Sequence, residues 1–224
     1  MVILFYFLYN KVMKIIIWDF NGTILDDVQC CIDIENQIAI DWQLHIPYIT
    51  KEKYLANFGF PVREYYRKMG YDFNKISYED VAQSFHHYFN ERYKHLKLCL
   101  GFLERADDFQ KKGYKQIILS ATKQEELQKQ VSTLKIDDYF EEIIGVQDHL
   151  ANSKIDSALT WMKKSNIKAD ECIYIGDTDH DEEVAKAIGV KRIYLVAQGH
   201  QSYERLQKTE AKVLESLLQW PIDR

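Results

Sequence analysis

Three polar groups stand just behind apolar runs of strand-like composition, and a fourth opens a helical pattern. Asp19 follows Ile15-Ile16-Ile17-Trp18 and opens the stretch Asp19-Phe20-Asn21-Gly22-Thr23. Ser120 closes Ile117-Ile118-Leu119 and leads into Ala121-Thr122. Lys154 comes after Asn152-Ser153, where a helical pattern begins. Asp177 follows Ile173-Tyr174-Ile175-Gly176, and Asp181 adds a second acid four residues later. Carboxylates, a hydroxyl and an ammonium brought to one place suit a divalent cation together with a phosphate. An acid directly after Ile-Ile-Ile-Trp is a poor structural choice, because burying an unpaired carboxylate is costly.

For these groups to meet, the elements carrying them must share an edge. Short β-branched runs at Lys14 to Trp18, Gln116 to Leu119, Ile143 to Val146, Cys172 to Ile175 and Arg192 to Val196 read as strands buried on both faces. Helical patterns at Leu103 to Lys112, Lys123 to Leu134, Lys154 to Lys164 and Asp181 to Ile188 separate them. Such alternation predicts an α/β fold, a doubly wound (Rossmann-like) parallel sheet. All carboxyl ends of a parallel sheet point the same way, so the polar groups can converge there. The stretch from Asp27 to Leu98 holds no convincing strand and reads as an inserted, all-helical cap. Within it Pro61 opens a short helix to Met69, and Ser77-Tyr78-Glu79-Asp80 resembles a capping box. The expected division is a core of residues 13–26 and 99–224, a cap of 27–98, and an apolar extension of 1–12 that need not be native.

At 224 residues, with 46% hydrophobic and 28% charged, the chain has room for one main domain plus an insertion. A net charge of −5 argues against a nucleic-acid partner, which needs a basic surface. A small phosphorylated metabolite needs only a few local donors and fits. The first eight residues are apolar but too few to span a bilayer, so no membrane is expected. Four cysteines without metal-type spacing suit a reducing, cytoplasmic setting. Oligomeric state is not legible.

Asp19-Phe20-Asn21-Gly22-Thr23, Ser120, Lys154 and Gly176-Asp177-Thr178-x-x-Asp181 resemble, in order, the four motifs of the haloacid dehalogenase superfamily. The helical insertion after the first motif resembles the cap of its phosphoglycolate phosphatase-like branch. The resemblance implies a Mg²⁺-dependent phosphatase acting on a small phosphomonoester through an aspartyl-phosphate. Asp19 is then the nucleophile. Asp19, Asp177 and the backbone carbonyl of Asn21 hold Mg²⁺, while Asp181 orients a metal-bound water or Lys154. Ser120, Ala121, Lys154, Gly22 and Thr23 bind phosphate, with Ser120 expected at a helix start whose dipole favours anions. Phe58, Gly59, Phe60 and Arg63 are the cap residues expected to set specificity, Arg63 by pairing with a substrate carboxylate.

Position 21 departs from the pattern. Phosphatases of the superfamily usually carry an aspartate there, as the acid that protonates the leaving oxygen. An amide cannot do so. A slow hydrolase, a phosphate-binding sensor without turnover, and a phosphonatase-like C–P hydrolase using a cap lysine (Lys51 or Lys53) all remain open. The motif residues also admit a bland reading as helix caps: Ser153-x-x-Asp156, Thr178-x-x-Asp181 and Thr122-x-x-Glu125 fit capping boxes. His86, His87 and His95 read as surface or packing residues and His180 as a solvated loop position.

Overall fold

The computed structural model describes residues 15–147 and 154–221. The suggested N-terminal extension lies outside them, as does the cap at Ser153. Six strands form a sheet: β1 (Ile15–Trp18), β4 (Lys115–Lys123), β5 (Glu142–Val146), β6 (Cys172–Gly176), β7 (Arg192–Val196) and β8 (Lys212–Leu214). Their order is β5-β4-β1-β6-β7-β8, with every pairing parallel. Ile17 of β1 sits opposite Ile117 of β4 on one side and Tyr174 of β6 on the other. From β1 the later strands run outward in both directions, which opens a crevice at the carboxyl ends of β1, β4 and β6.

Strand alternation divides β1 between two cores. Ile15 and Ile17 face α7 (Lys154–Ser165) and α8 (Asp179–Ala187), alongside Leu119, Tyr174 and Val184. Ile16 and Trp18 face the other way, and Trp18 meets Phe102 and Phe109 of α5 (Phe102–Lys111) edge-on. The Trp18 indole donates to Gln116 Oε1 at 2.9 Å, and Gln116 Nε2 donates to the Ala106 carbonyl at 2.9 Å. That chain satisfies the polar atoms which burial would otherwise penalise.

Between the two-residue strands β2 (Leu25–Asp26) and β3 (Lys97–Leu98), which pair antiparallel, come four helices: α1 (Val28–Asp41), α2 (Lys51–Asn57), α3 (Val62–Met69) and α4 (Tyr78–Arg92). Their buried faces continue the core on the Trp18 side, through Ile38, Tyr65, Val81 and Phe89 among others. Ser77 caps α4 by accepting from the Asp80 N–H, as the sequence predicts. Pro61 is the N-cap of α3 rather than its first residue.

Two expectations change. β4 continues past Leu119 to Lys123, because after a register shift Lys123 pairs again with Val146 of β5. Ser120 therefore lies inside a strand and not at a helix start, since α6 (Gln124–Thr133) begins four residues later. The edge strand β8 and the β2–β3 ribbon are too short for a periodic pattern to reveal.

Candidate active site

The tight turn after β1 sets up the first group. Ile24 and Leu25 N–H both donate to the Phe20 carbonyl, at 2.8 and 2.9 Å, so the chain reverses at Asn21-Gly22 and leaves Asp19 at the sheet edge. Gly22 has φ +75°, and a Cβ there would lie 2.4 Å from Asp177 Oδ2 and 2.6 Å from the His200 ring. Only glycine lets this turn approach Asp177 so closely. Thr23 Oγ1 donates to Asp177 Oδ1 at 3.1 Å, and the His200 N–H donates to Asp177 Oδ2 at 2.6 Å. Asp177 is thus fixed from both sides.

Lys154, the first residue of α7, is buried and joins two acids. Its ammonium donates to Asp19 Oδ1 at 2.5 Å and to Asp181 Oδ1 at 2.7 Å. Asp181 also closes a capping box with Thr178 and accepts from Thr178 Oγ1 at 2.7 Å and the Asp177 N–H at 3.2 Å. Capping and site chemistry are therefore one arrangement, not alternatives.

Asp19, Asp177 and Asp181 bring carboxylate oxygens within 4.8 Å of one another, all buried. Burial pushes Asp19 up to about 6 against the pull of Lys154. It pushes Asp177 well above the carboxylate range, with the charge of His200 opposing. Burial acts on Asp181 too, but Lys154 and the donors of Lys154 and Thr178 outweigh it and hold that carboxyl low. Burial disfavours the Lys154 ammonium, yet Asp181 and Asp19 together raise it. Three carboxylates against one ammonium leave the cluster short of positive charge, and a hard divalent cation fits the deficit.

Asn21 is anchored at both ends: its amide donates to Asp27 Oδ2 at 2.6 Å, and its carbonyl accepts from Thr122 Oγ1 at 2.9 Å. Asp27 also accepts from the Gly22 N–H at 2.9 Å and pairs with His200 Nε2 at 3.1 Å. The other ring nitrogen of His200 lies 2.8 Å from Tyr54 Oη. Burial opposes a charged His200, but Asp27 and then Asp177 push it up to about 9.

The sequence matches the haloacid dehalogenase-like hydrolases over residues 16–195. The chain belongs to this family. No curated protein matches it. Solved structures share the fold. A haloacid dehalogenase-like hydrolase from Streptococcus pneumoniae superposes with TM-score 0.75 at 16% identity, covering 93% of this chain and 97% of that one. A predicted phosphatase from Clostridium acetobutylicum gives 0.73 at 20% identity, covering 92% and 94%. A predicted phosphoglycolate phosphatase from Haemophilus somnus gives 0.71 at 13% identity, covering 92% and 96%.

This haloacid dehalogenase-like chain gathers Asp19, Asn21, Ser120, Ala121, Lys154, Asp177 and Asp181 around a cavity of about 200 Å³. Phe58 and Phe60 also line it. Other expected residues fall elsewhere. Thr23 Oγ1 and the Gly22 N–H are directed to Asp177 and Asp27, and neither residue lines the cavity. Gly59 packs against Arg205, whose guanidinium reaches the Phe58 carbonyl. Arg63 is exposed and lies over the Phe73 and Tyr78 rings, because α3 turns Tyr65, Tyr66 and Met69 inward and Arg63 out. It is no carboxylate clamp. Lys51 and Lys53 start α2 under the Thr50 cap, off the cavity wall, so a cap-lysine Schiff base has no amine there. Thr122 does not cap α6, since its hydroxyl holds Asn21. His86 reaches the wall near Glu126, and His180 stacks on Phe60.

Asp27, Glu35, Tyr54 and His200 were missed. Asp27 and Glu35 sit in a helical pattern without spacing that marks chemistry. Gly199-His200 follows β7 by a few residues, and that sheet-edge position is the signal that could have found it.

Proposed function

We propose that this hydrolase is a Mg²⁺-dependent phosphatase of small phosphomonoesters, with the α1–α4 segment as a cap over the cavity. The observation that carries the reading is Asp19 itself: a buried carboxylate at a parallel-sheet edge, paired with Lys154 and facing two further acids. Asp19, Asp177 and the Asn21 backbone carbonyl would hold Mg²⁺. The ion screens the repulsion between carboxylate and phosphate dianion.

Lys154 holds Asp19 ionised and in place. An Asp19 oxygen forms a bond to phosphorus as the phosphorus–oxygen bond to the leaving group breaks, its electron pair going with that oxygen. Water then attacks phosphorus, the bond to Asp19 breaks, and the carboxylate returns as inorganic phosphate leaves. The Ser120 hydroxyl donates to Thr122 Oγ1 at 3.1 Å while its oxygen accepts from the Thr122 N–H at 3.1 Å, and by rotating away from Thr122 Oγ1 it would donate to a phosphoryl oxygen. Asn21 supplies no proton, so the leaving group departs without general-acid help from that position.

The test is phosphate release from acetyl phosphate and a set of phosphomonoesters, with and without Mg²⁺. Asp19→Asn is expected to abolish release while the protein still folds. Metal-dependent turnover by folded Asp19→Asn would refute the aspartyl-phosphate route, and then the non-catalytic binding reading would also have to explain that turnover.

A further inference from the structure

The leaving-group side of the cavity has a chemistry of its own. Its wall is aromatic, with Tyr54, Phe58, Tyr66, Phe85 and Phe89 contributed by α2, the loop after it, α3 and α4. Set among these rings is Glu35 of α1, 2% exposed. Its carboxyl accepts from Tyr65 Oη at 2.6 Å, and among the described residues no basic side chain forms an ion pair with it. His200, whose charge opposes the effect of burial on Glu35, is paired with Asp27. A carboxyl buried in a ligand cavity without a counter-charge is matched by an incoming cation, while an anion finds no counter-charge in it.

Among the described residues the basic groups on the wall already face acids: His200 pairs with Asp27, and His86 lies 3.7 Å from Glu126. Arg63 points outward. Lys154 serves Asp19 and Asp181, and Lys123 lies 3.7 Å from Glu125 with a third of its side chain exposed. The volume, about 200 Å³, falls below the roughly 300–1,000 Å³ of pockets for drug-sized ligands. That favours a compact ligand. Position 21 points the same way. A phenol-like leaving group ionises near pH 10, far more readily than an alcohol, so an aryl ester makes a smaller demand than an alkyl ester on the acid that Asn21 cannot supply.

We propose that this site takes a compact aryl phosphate whose ring carries an amine, and that Glu35 receives the ammonium while the cap rings enclose the aromatic face. The inference rests on the phosphatase reading above and narrows it. An ammonium among these rings gains cation–π attraction as well as the carboxylate. Burial pushes Glu35 up to about 8, with Tyr65 opposing, so the bound ammonium would also supply the charge that lets Glu35 ionise near neutral pH.

The experiment compares kcat/KM in Mg²⁺ for phenyl phosphate, 4-(2-aminoethyl)phenyl phosphate, 4-(carboxymethyl)phenyl phosphate, 2-phosphoglycolate and acetyl phosphate. The amine ester is expected to exceed its carboxylate counterpart by about 30-fold or more, since the ammonium gains a charge-assisted hydrogen bond to Glu35 and the carboxylate is desolvated there without a counter-charge. In Glu35→Gln that ratio should collapse toward one. A carboxylate ester or 2-phosphoglycolate turned over as well as the amine ester overturns the inference and leaves the phosphatase reading standing. An unchanged ratio in folded Glu35→Gln overturns it too. If no compound is hydrolysed, acetyl phosphate included, the phosphatase reading fails and the inference with it. The wild-type ratio decides the case should Glu35→Gln not fold.

Discussion

Asn21→Asp would set a carboxylate where an amide now donates to Asp27 Oδ2 at 2.6 Å. Thr122 Oγ1, which donates to the Asn21 carbonyl at 2.9 Å, would keep the new side chain facing Asp27. Two unit charges about 3 Å apart at an effective dielectric of about 20 repel by about 5 kcal/mol. That energy corresponds to roughly 4 pK units, so the pair would hold one proton near neutral pH, with the charge on His200 trimming the shift. A carboxyl that carries its proton at neutral pH is what departure of a basic leaving group requires. Restoring an acid is expected to raise kcat for alkyl phosphates about 10- to 1000-fold, within the usual general-acid range. Acetyl phosphate, whose leaving group is a carboxylate, should gain little. The assay is steady-state phosphate release across leaving groups of rising basicity, with circular dichroism confirming the fold. No gain in a folded variant, or an equal gain for acetyl and alkyl phosphates, would show that position 21 does not limit proton delivery.

Lys154→Met should destabilise the fold by about 3–5 kcal/mol, because it strands Asp19 and Asp181 as buried unpaired acids. Thermal melts should show the loss, and Mg²⁺ should raise the variant's Tm more than the wild type's; equal Tm values would mean the triad contributes nothing to folding. Glu35→Gln should change how stability depends on pH. The folded-state pKa of Glu35 is raised from 4.5 to about 8, so its favourable contribution is complete below 4.5 and is lost as pH climbs through 8. The variant lacks that loss, and denaturant melts should favour it increasingly between pH 5 and 8, then level off; a constant difference would refute the shift. Gly22→Ala demands a positive φ from an L-residue and pushes a methyl into Asp177, so Tm and apparent Mg²⁺ affinity should both fall. Unchanged Mg²⁺ affinity in that variant would dissociate the turn from the metal site.

The strands that carry chemistry were legible because burial on both faces writes them as unbroken apolar runs, and the acids behind Ile15–Trp18 and Cys172–Gly176 stand out against that background. The same contrast fails in the helical segment. Glu35 is an acid inside a helix, the commonest place for one, and only the folded chain reveals that α1 turns it inward to meet Tyr65. His200 and Asp27 are 173 residues apart, and no spacing rule links a loop after β7 to the residue that caps α1. Arg63 misled for a related reason: a cation beside Phe58 and Phe60 looks like a clamp until the phase of α3 is known. What sequence conveys well here is the backbone-fixed half of the site, where one strand end dictates one side chain. The leaving-group half is assembled from faces of four helices and a loop, each inconclusive by itself. Substrate preference is therefore the property that motif reading reaches last, and the preference proposed for this chain rests on the carboxyl at position 35 and the amide at position 21 together.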